Sequence, residues 1–235
     1  PLVATSGNAS GSPIVFTDDE AMRLLSPIAD AILSHNREIT FPQDDSVIAY
    51  SPKFQQKIIF RRGRGLAPSV DFPAGRLSDD MLAMGAEMKS AFAFTANGNT
   101  YLSQYLGDTS TFESQNSFDI SLRNLRALMK PEIKGVAVDK HPNYHSSQIG
   151  IALAEEQEWK LFKVQHHKAH FAAVLAEHDL LQSEEPILGV VWDGLGYGDD
   201  GHVWGSEFFV LNENDMERVH HIENYPVIAS NRMAL

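Results

Sequence analysis

Ile187-Leu188-Gly189-Val190-Val191-Trp192-Asp193-Gly194-Leu195-Gly196-Tyr197-Gly198-Asp199-Asp200-Gly201 is the stretch on which the fold turns. An apolar run of strand length, Ile187 to Trp192, ends on an acid and enters a glycine-rich turn. A second apolar strand, His202 to Leu211, follows. Glycines let backbone N–H groups approach a phosphate, and the leading Asp193 can hold a cation or orient a water. The next element is a strand rather than a helix, so this is no dinucleotide-binding fingerprint. No glutamate stands at the twelfth position, which argues against a calcium loop. An ordinary hairpin loop is the plainer reading of the same residues.

The pattern has an echo. Leu82 to Tyr105 also reads as strand, glycine-containing turn and strand: strands at Met88–Phe94 and Thr100–Tyr105 flank Asn97-Gly98, a strong hairpin signal. Between the echoes the periodicity alternates. Phe118 to Met129 reads as a helix stopped by Pro131, and Gly135 to Asp139 as a buried strand ending in an acid. Ser146 to Gln157 is a helix, Leu161 to Val164 a strand and His166 to His178 a helix. The resulting order, β-β-α-β-α-β-α-β-β, predicts an α/β domain from residue 81 to 235.

Upstream, residues 1–62 also alternate strand and helix. Leu2 to Thr5 reads as a strand, and Ser6 to Gly11 as a turn-rich loop. Thr17 and Glu20 form a capping box ahead of a helix with Ala21, Leu24, Leu25, Ile28 and Ile32 on one stripe. Ser46–Tyr50 and Gln56–Phe60 read as strands. Residues 63–80, rich in Gly, Pro and Arg, read as a linker. The abrupt ends, Pro1 and Asn231 to Leu235, suggest a segment of something longer.

The chain has 235 residues, 43% hydrophobic and 21% charged, with a net charge of −12. That is the composition of a globular chain, and a poor one for binding nucleic acid or an anionic membrane through bulk charge. There is no cysteine, so disulfides and a cysteine nucleophile are excluded within this chain. No apolar run reaches the roughly 20 residues of a membrane helix, and no signal peptide is visible, so a cytoplasmic protein is the expectation.

Three further groups carry possible chemistry. His166 and His170 stand four apart on a helix, which places both imidazoles on one face within reach of one metal ion. Neutral imidazoles suit Zn or Fe. A metalloprotease would need a Glu at position 167, which is His. Asp139 and His141 follow a buried strand, where open α/β sheets place ligands, although a capped turn explains them equally. Ser6, Asn8, Arg37, Asp45, Ser46 and Arg64 offer hydroxyls, amide and guanidinium groups suited to a phosphate-bearing ligand if they converge. Taken singly, each is more often a turn, a cap or a solvated charge.

Together these residues resemble the hydrogenase maturation carbamoyltransferase (HypF) family. Thr5 to Gly11, His35-Asn36-Arg37 and Asp44-Asp45-Ser46-Val47 are similar to the end of its YrdC-like domain, and Arg61 to Pro68 to the link that follows. Gly85 to Lys89, Leu102 to Asp108, Asp139 to Tyr144, Val164 to His170 and Asp193 to Gly201 resemble successive motifs of its Kae1-like domain. Lys168 stands where members often have a further His, and Leu195 where a Thr is common.

The resemblance implies the end of a YrdC-like twisted α/β sheet at 1–62, a linker at 63–80 and the N-terminal half of an ASKHA, actin-like and ribonuclease-H-like, domain at 81–235. It implies ATP with Mg as substrate, and carbamoyl phosphate as the carbamoyl source. The carbamoyl group of a carbamoyl adenylate would pass to the C-terminal cysteine of HypE. The catalytic residues it implies are His166, His170 and Asp193, with Fe or Zn on His166 and His170. Nucleotide or carbamoyl-adenylate contacts fall to Ser6, Asn8, Arg37, Asp45, Ser46, Arg64, Lys89, Asp139, His141, Gly194, Gly196 and Gly198. Two rivals share the domain types: an enzyme forming threonylcarbamoyladenosine on tRNA, and a non-catalytic nucleotide-binding scaffold.

Overall fold

The computed structural model describes residues 1–8, 13–73, 80–213 and 215–223. Asn97 and Gly98 both take positive φ, 51° and 74°, the backbone that a tight two-residue hairpin demands. They turn β5 (Ala93–Ala96) into β6 (Asn99–Leu102). β4 (Asp80–Ala83) pairs antiparallel with β5 and parallel with β7 (Ile133–Asp139). With β3 (Ser69–Pro73) against β6 and β8 (Lys160–Val164) beside β7, the sheet order is β3-β6-β5-β4-β7-β8.

Two helices belong with this sheet. α2 (Phe112–Met129) starts at Thr111, whose hydroxyl accepts the Ser114 N–H, and ends at Lys130 in the left-handed region just before Pro131. Its buried Phe118, Leu122 and Leu125 recur at helical spacing. They join Leu82, Met84, Phe92, Phe94, Val136 and Val138 in one core. α3 (His145–Gln157) comes close to the sheet at Gly150. A Cβ there would lie 2.5 Å from Val138 and 2.7 Å from Met84, so a side chain would push the helix away.

The chain divides into two compact units: residues 1–138 with 143–162, and residues 139–142 with 163–235. The first also holds α1 (Asp18–Leu24) and the antiparallel pair β1 (Val47–Ser51) and β2 (Gln56–Arg61). Within this unit, Gln104 donates to the Pro42 carbonyl, Asn124 to the Thr40 carbonyl and the Tyr105 N–H to Arg62, while Phe41 packs on the core. The second unit contains α4 (His166–Glu177), β9 (Ile187–Tyr197), β10 (Val203–Asn212) and β11 (Asp215–His221). Its antiparallel sheet runs β11-β10-β9, and α4 sets Phe171 and Leu175 into a core with Val191, Trp204, Phe209 and Leu211. β4-β5-β6 and β9-β10-β11 are both antiparallel three-strand meanders, which matches the echo in the sequence.

The α/β class stands, but several element readings are corrected. Leu2 to Thr5 forms no strand: Leu2 and Val3 are fully exposed, and no described strand offers them a ladder. The Thr17 cap is present, yet α1 stops at Leu24 and buries no residue. The linker at 63–80 contains β3. The strand expected at Met88–Phe94 begins only at Ala93, because Lys89 has φ 50° and gives its N–H to the Asp108 carboxylate rather than to a ladder. β9 runs through the glycine-rich stretch to Tyr197, leaving a shorter turn, and β11 went unread. Residues 9–12 and 74–79 and the terminal stretch Asn231–Leu235 lie outside the described residues. Among the described residues, no helix is long and apolar enough to cross a membrane.

Phe118, wholly buried and edge-on to Phe92 at 5.5 Å, is the aromatic anchor of the first core. Phe118→Ala is expected to lower the unfolding free energy by about 3–5 kcal/mol, read from the denaturant midpoint. A loss below about 1 kcal/mol would show that α2 does not bear on this core.

Candidate functional site

Three segments of the second unit converge. His166 and His170, one turn apart at the start of α4, bring their Nε2 atoms to 3.2 Å. Asp193 comes from β9, with Oδ2 3.2 Å from His166 Nε2 and 4.0 Å from His170 Nε2. The ligand atoms of these three residues all lie within 4.8 Å of one another. Asp139, at the end of β7, receives His166 Nδ1 on Oδ2 at 2.6 Å and the His141 N–H on Oδ1 at 2.8 Å.

A break in the β9–β10 ladder aims Asp193. Trp192 pairs with Ser206 and Gly196 with Trp204, so residues 193–195 stand opposite Gly205 alone. Residues 187, 189, 191 and 193 face inward, and after the bulge Gly196 does so as well. The bulge therefore turns Asp193 and Gly196 to one side, which regular alternation forbids. Gly205 makes room for it: a Cβ there would sit 2.9 Å from the Asp193 carbonyl.

The charges are set by these contacts. The hydrogen bond to Asp139, reinforced by Asp193, raises His166 to about 9. Protonated His166 in turn holds the Asp193 carboxyl down at about 2. Asp193 Oδ2 is nonetheless buried without an aligned hydrogen bond among the described residues, so its approach to His166 acts as an ion pair. Burial lowers His167 and His170, and the charge on His166 lowers both further.

The other expected site residues divide between the units. His141 sets its ring edge-on to Tyr197 at 5.6 Å, and its neighbour Lys140 reaches Asp199 at 2.5 Å, clasping the 139–141 loop to the end of β9. Gly194 faces open space. Cβ atoms at Gly196 and Gly198 would lie 2.1 Å from His167 and 2.2 Å from Trp204, so these glycines serve packing directly. In the first unit, Asp45, Ser46 and Arg64 are brought together. Arg64 pairs with Asp45, while the Ser46 hydroxyl donates to the Arg64 carbonyl and accepts the Gly63 N–H. Ser6 and Asn8 lie in the first loop, Arg37 in the turn where its N–H meets His35 Nδ1, and Lys89 in an exposed loop.

Sequence reading missed what backs the site. Trp204 is buried 5.9 Å from the His167 ring and donates its Nε1–H to Asp200. Arg218 of β11 stacks 3.7 Å from the Trp204 ring and pairs with buried Glu207. Gln165 caps α4 and reaches the Tyr197 carbonyl. Glutamine is not among the usual N-cap residues, so the sequence carried no signal for this set.

An α-helix presenting two imidazoles to an acid on a bulged strand is a group that could hold a metal ion, and the comparisons give the chain that carries it a family. Residues 1–63 match the Sua5/YciO/YrdC family model, 76–177 the HypF Kae1-like domain and 189–235 the second subdomain of the carbamoyltransferase Kae1-like domain. The chain belongs to the HypF family. It is 36% identical over 233 residues to carbamoyltransferase HypF of Synechocystis, covering 98% of this chain and 29% of that protein. The probable carbamoyltransferase HypF of Methanocaldococcus jannaschii is 35% identical over 223 residues, covering 94% and 28%. The solved structure of T. kodakarensis HypF superposes with a TM-score of 0.81 at 35% identity, covering 96% of this chain and 29% of that one. The chain thus spans under a third of the length of these relatives.

Gly196→Ala would drive a methyl into the His167 ring and is expected to cost about 1–3 kcal/mol of stability. Gly194→Ala, facing open space, should stay within about 0.5 kcal/mol. Thermal unfolding of the two variants checks this, and equal shifts would show that His167 is not held beneath Gly196.

Proposed function

We propose that this chain is the part of a carbamoyltransferase that joins carbamoyl-adenylate formation to carbamoyl transfer. In this reading residues 1–62 are the C-terminal part of the YrdC-like adenylate-forming domain, 63–80 the link and 81–235 the N-terminal half of the Kae1-like transfer domain. The observation that carries it is the convergence of His166, His170 and Asp193 on one point. A solved relative, 33% identical with a TM-score of 0.79, is described as full-length HypF in the phosphate- and nucleotide-bound form, which supports a nucleotide-handling role.

The donor set fits a metal ion. Two imidazoles and a carboxylate suit iron or zinc, and the buried, unaligned Asp193 Oδ2 is the kind of atom a cation satisfies. His166 Nε2, having released the proton it carries toward Asp193, would hold it together with His170 Nε2 and Asp193. A cation bound there supplies Lewis-acid polarisation of a carbonyl or an anchor for phosphate. Asp139 fixes the His166 ring by taking Nδ1–H, so that Nε2 faces inward.

Carbamoyl phosphate, hydrolysed to carbamate and inorganic phosphate, would supply the carbamoyl group. A carbamate oxygen would bond to the α-phosphorus of ATP, held as its magnesium complex. The bond from that phosphorus to the bridging oxygen would break and pyrophosphate would leave, giving carbamoyl adenylate. Arg37, Asp45, Ser46 and Arg64 would contact its phosphate and ribose. A thiolate from the C-terminal cysteine of HypE would then attack the carbamoyl carbon. The C–S bond forms, the C–O bond to AMP breaks and AMP leaves. Adenylation makes this possible by giving a poor electrophile a good leaving group. The absence of cysteine from this chain accords with a thiol supplied by the partner.

Carbamoyl-phosphate-dependent ATP–pyrophosphate exchange by the full-length protein tests this. Arg37→Ala is expected to abolish exchange. His166→Ala should retain exchange while losing carbamoyl transfer to HypE by at least about 100-fold. Exchange that requires threonine and bicarbonate instead would overturn the reading.

A further inference from the structure

His167 lies between the two imidazoles of the site, wholly buried, and no step above uses it. Hydrogen-bond accounting places its proton. The Lys168 N–H can only donate, and it meets Gln165 Oε1 at 2.9 Å, which fixes the orientation of the Gln165 amide. The Tyr197 carbonyl can only accept, and Gln165 Nε2 lies 3.1 Å from it, as that orientation requires. The second hydrogen of the same amide nitrogen meets His167 Nδ1 at 3.1 Å, so Nδ1 must be the acceptor. The ring proton therefore sits on Nε2. His167 Nε2 and Asp193 Oδ2 are 3.6 Å apart, and both are buried without a hydrogen bond among the described residues. Gly196 beneath the ring and Trp204 at 5.9 Å leave the imidazole little room to turn away.

The structure assigns to His167 the role of a positioning residue: its fixed Nε2–H faces the Asp193 carboxylate at 3.6 Å, longer than a hydrogen bond, and by charge–dipole attraction holds it toward His166 and His170 without being a ligand itself. Its Nδ1 lone pair is already committed to Gln165, and Nε2 carries a proton. Gln165 thereby ties α4 to β9 twice, directly at the Tyr197 carbonyl and through His167 toward Asp193. This assignment rests on the metal reading of His166, His170 and Asp193, and it adds the residue that aims the carboxylate.

Cobalt(II) uptake by the full-length protein, followed by its visible absorption and by chelator competition, tests it. His167→Leu is expected to weaken binding about 10–100-fold with the shape of the absorption bands unchanged. His167→Gln should recover most of the affinity, because glutamine also offers one acceptor to Gln165 and one N–H to Asp193. Unchanged affinity in His167→Leu, or no recovery in His167→Gln, would reduce His167 to packing and overturn the assignment. A changed band shape in His167→Leu would make it a ligand and overturn it too. If His167→Leu does not fold, His167→Gln decides alone: near-normal affinity supports the assignment, and a loss beyond about 100-fold overturns it. Failure of the unmodified protein to take up cobalt would overturn the metal reading and this assignment together, whereas normal uptake that His167→Leu leaves untouched overturns this assignment alone.

Discussion

The amide of Gln165 is the contact on which the arrangement of the site depends. It caps the first turn of α4, accepting one of the N–H groups that every helix start leaves unpaired, and with its other end it grips the Tyr197 carbonyl of β9. The helix bearing two imidazoles and the strand bearing the acid are thus held by a single planar group. Little slack is possible, because Phe171 on the same helix packs where Gly189 lacks a side chain. Replacing a backbone contact by a side chain would widen the gap between α4 and β9, and the three donor atoms would no longer meet.

Electrostatics and packing reinforce one another around that frame. His166 lies between two carboxylates, Asp139 on one nitrogen and Asp193 on the other, and these hold it charged. Behind the site, buried Glu207 accepts from Arg218 and from the Gly205 backbone, so its charge is balanced where water cannot reach it. Arg218 in turn covers the face of Trp204. The interior behind His166, His170 and Asp193 is therefore charge-balanced, although among the described residues Arg218 Nη2 and His167 Nε2, like Asp193 Oδ2, are buried without a hydrogen bond.

Much of this was legible in the sequence, and the failures have physical causes. Asn97-Gly98 announced a hairpin because few other pairs adopt two positive φ values, and the hydrophobic period located α3 and α4 to within a residue at each end; α2 was read from Phe118 and starts six residues earlier, at Phe112, where Thr111 caps it. His166 and His170 were nameable from residue type and spacing and Asp193 from its place at the end of an apolar run, while only the family resemblance grouped the three. What escaped depends on partners far away in the chain. β11 reads Asp-Met-Glu-Arg-Val-His-His, too polar to look like a strand, and it forms one because it lies at the sheet edge against β10. The glycine-rich run looked like a turn because glycine disfavours strands, yet three of its residues form a bulge that only Gly205 on the neighbouring strand accommodates. Asp139 drew notice from its place after a buried strand, but its bond to His166, 27 residues further on, was not legible from that place.

His166 also closes two loops of equal length, back to Asp139 and forward to Asp193, each 27 residues away along the chain. In an unfolded chain these groups are scattered, and only the two imidazoles of α4 remain neighbours. Whatever the folded site binds through all three donors is therefore bound far more weakly by the unfolded chain. By mass action, occupancy draws the equilibrium toward the native state. Occupied in the way proposed, the site would be a cross-link: a chain without cysteine would fasten separate segments with a reversible tie, and its resistance to unfolding would become a function of what that tie holds.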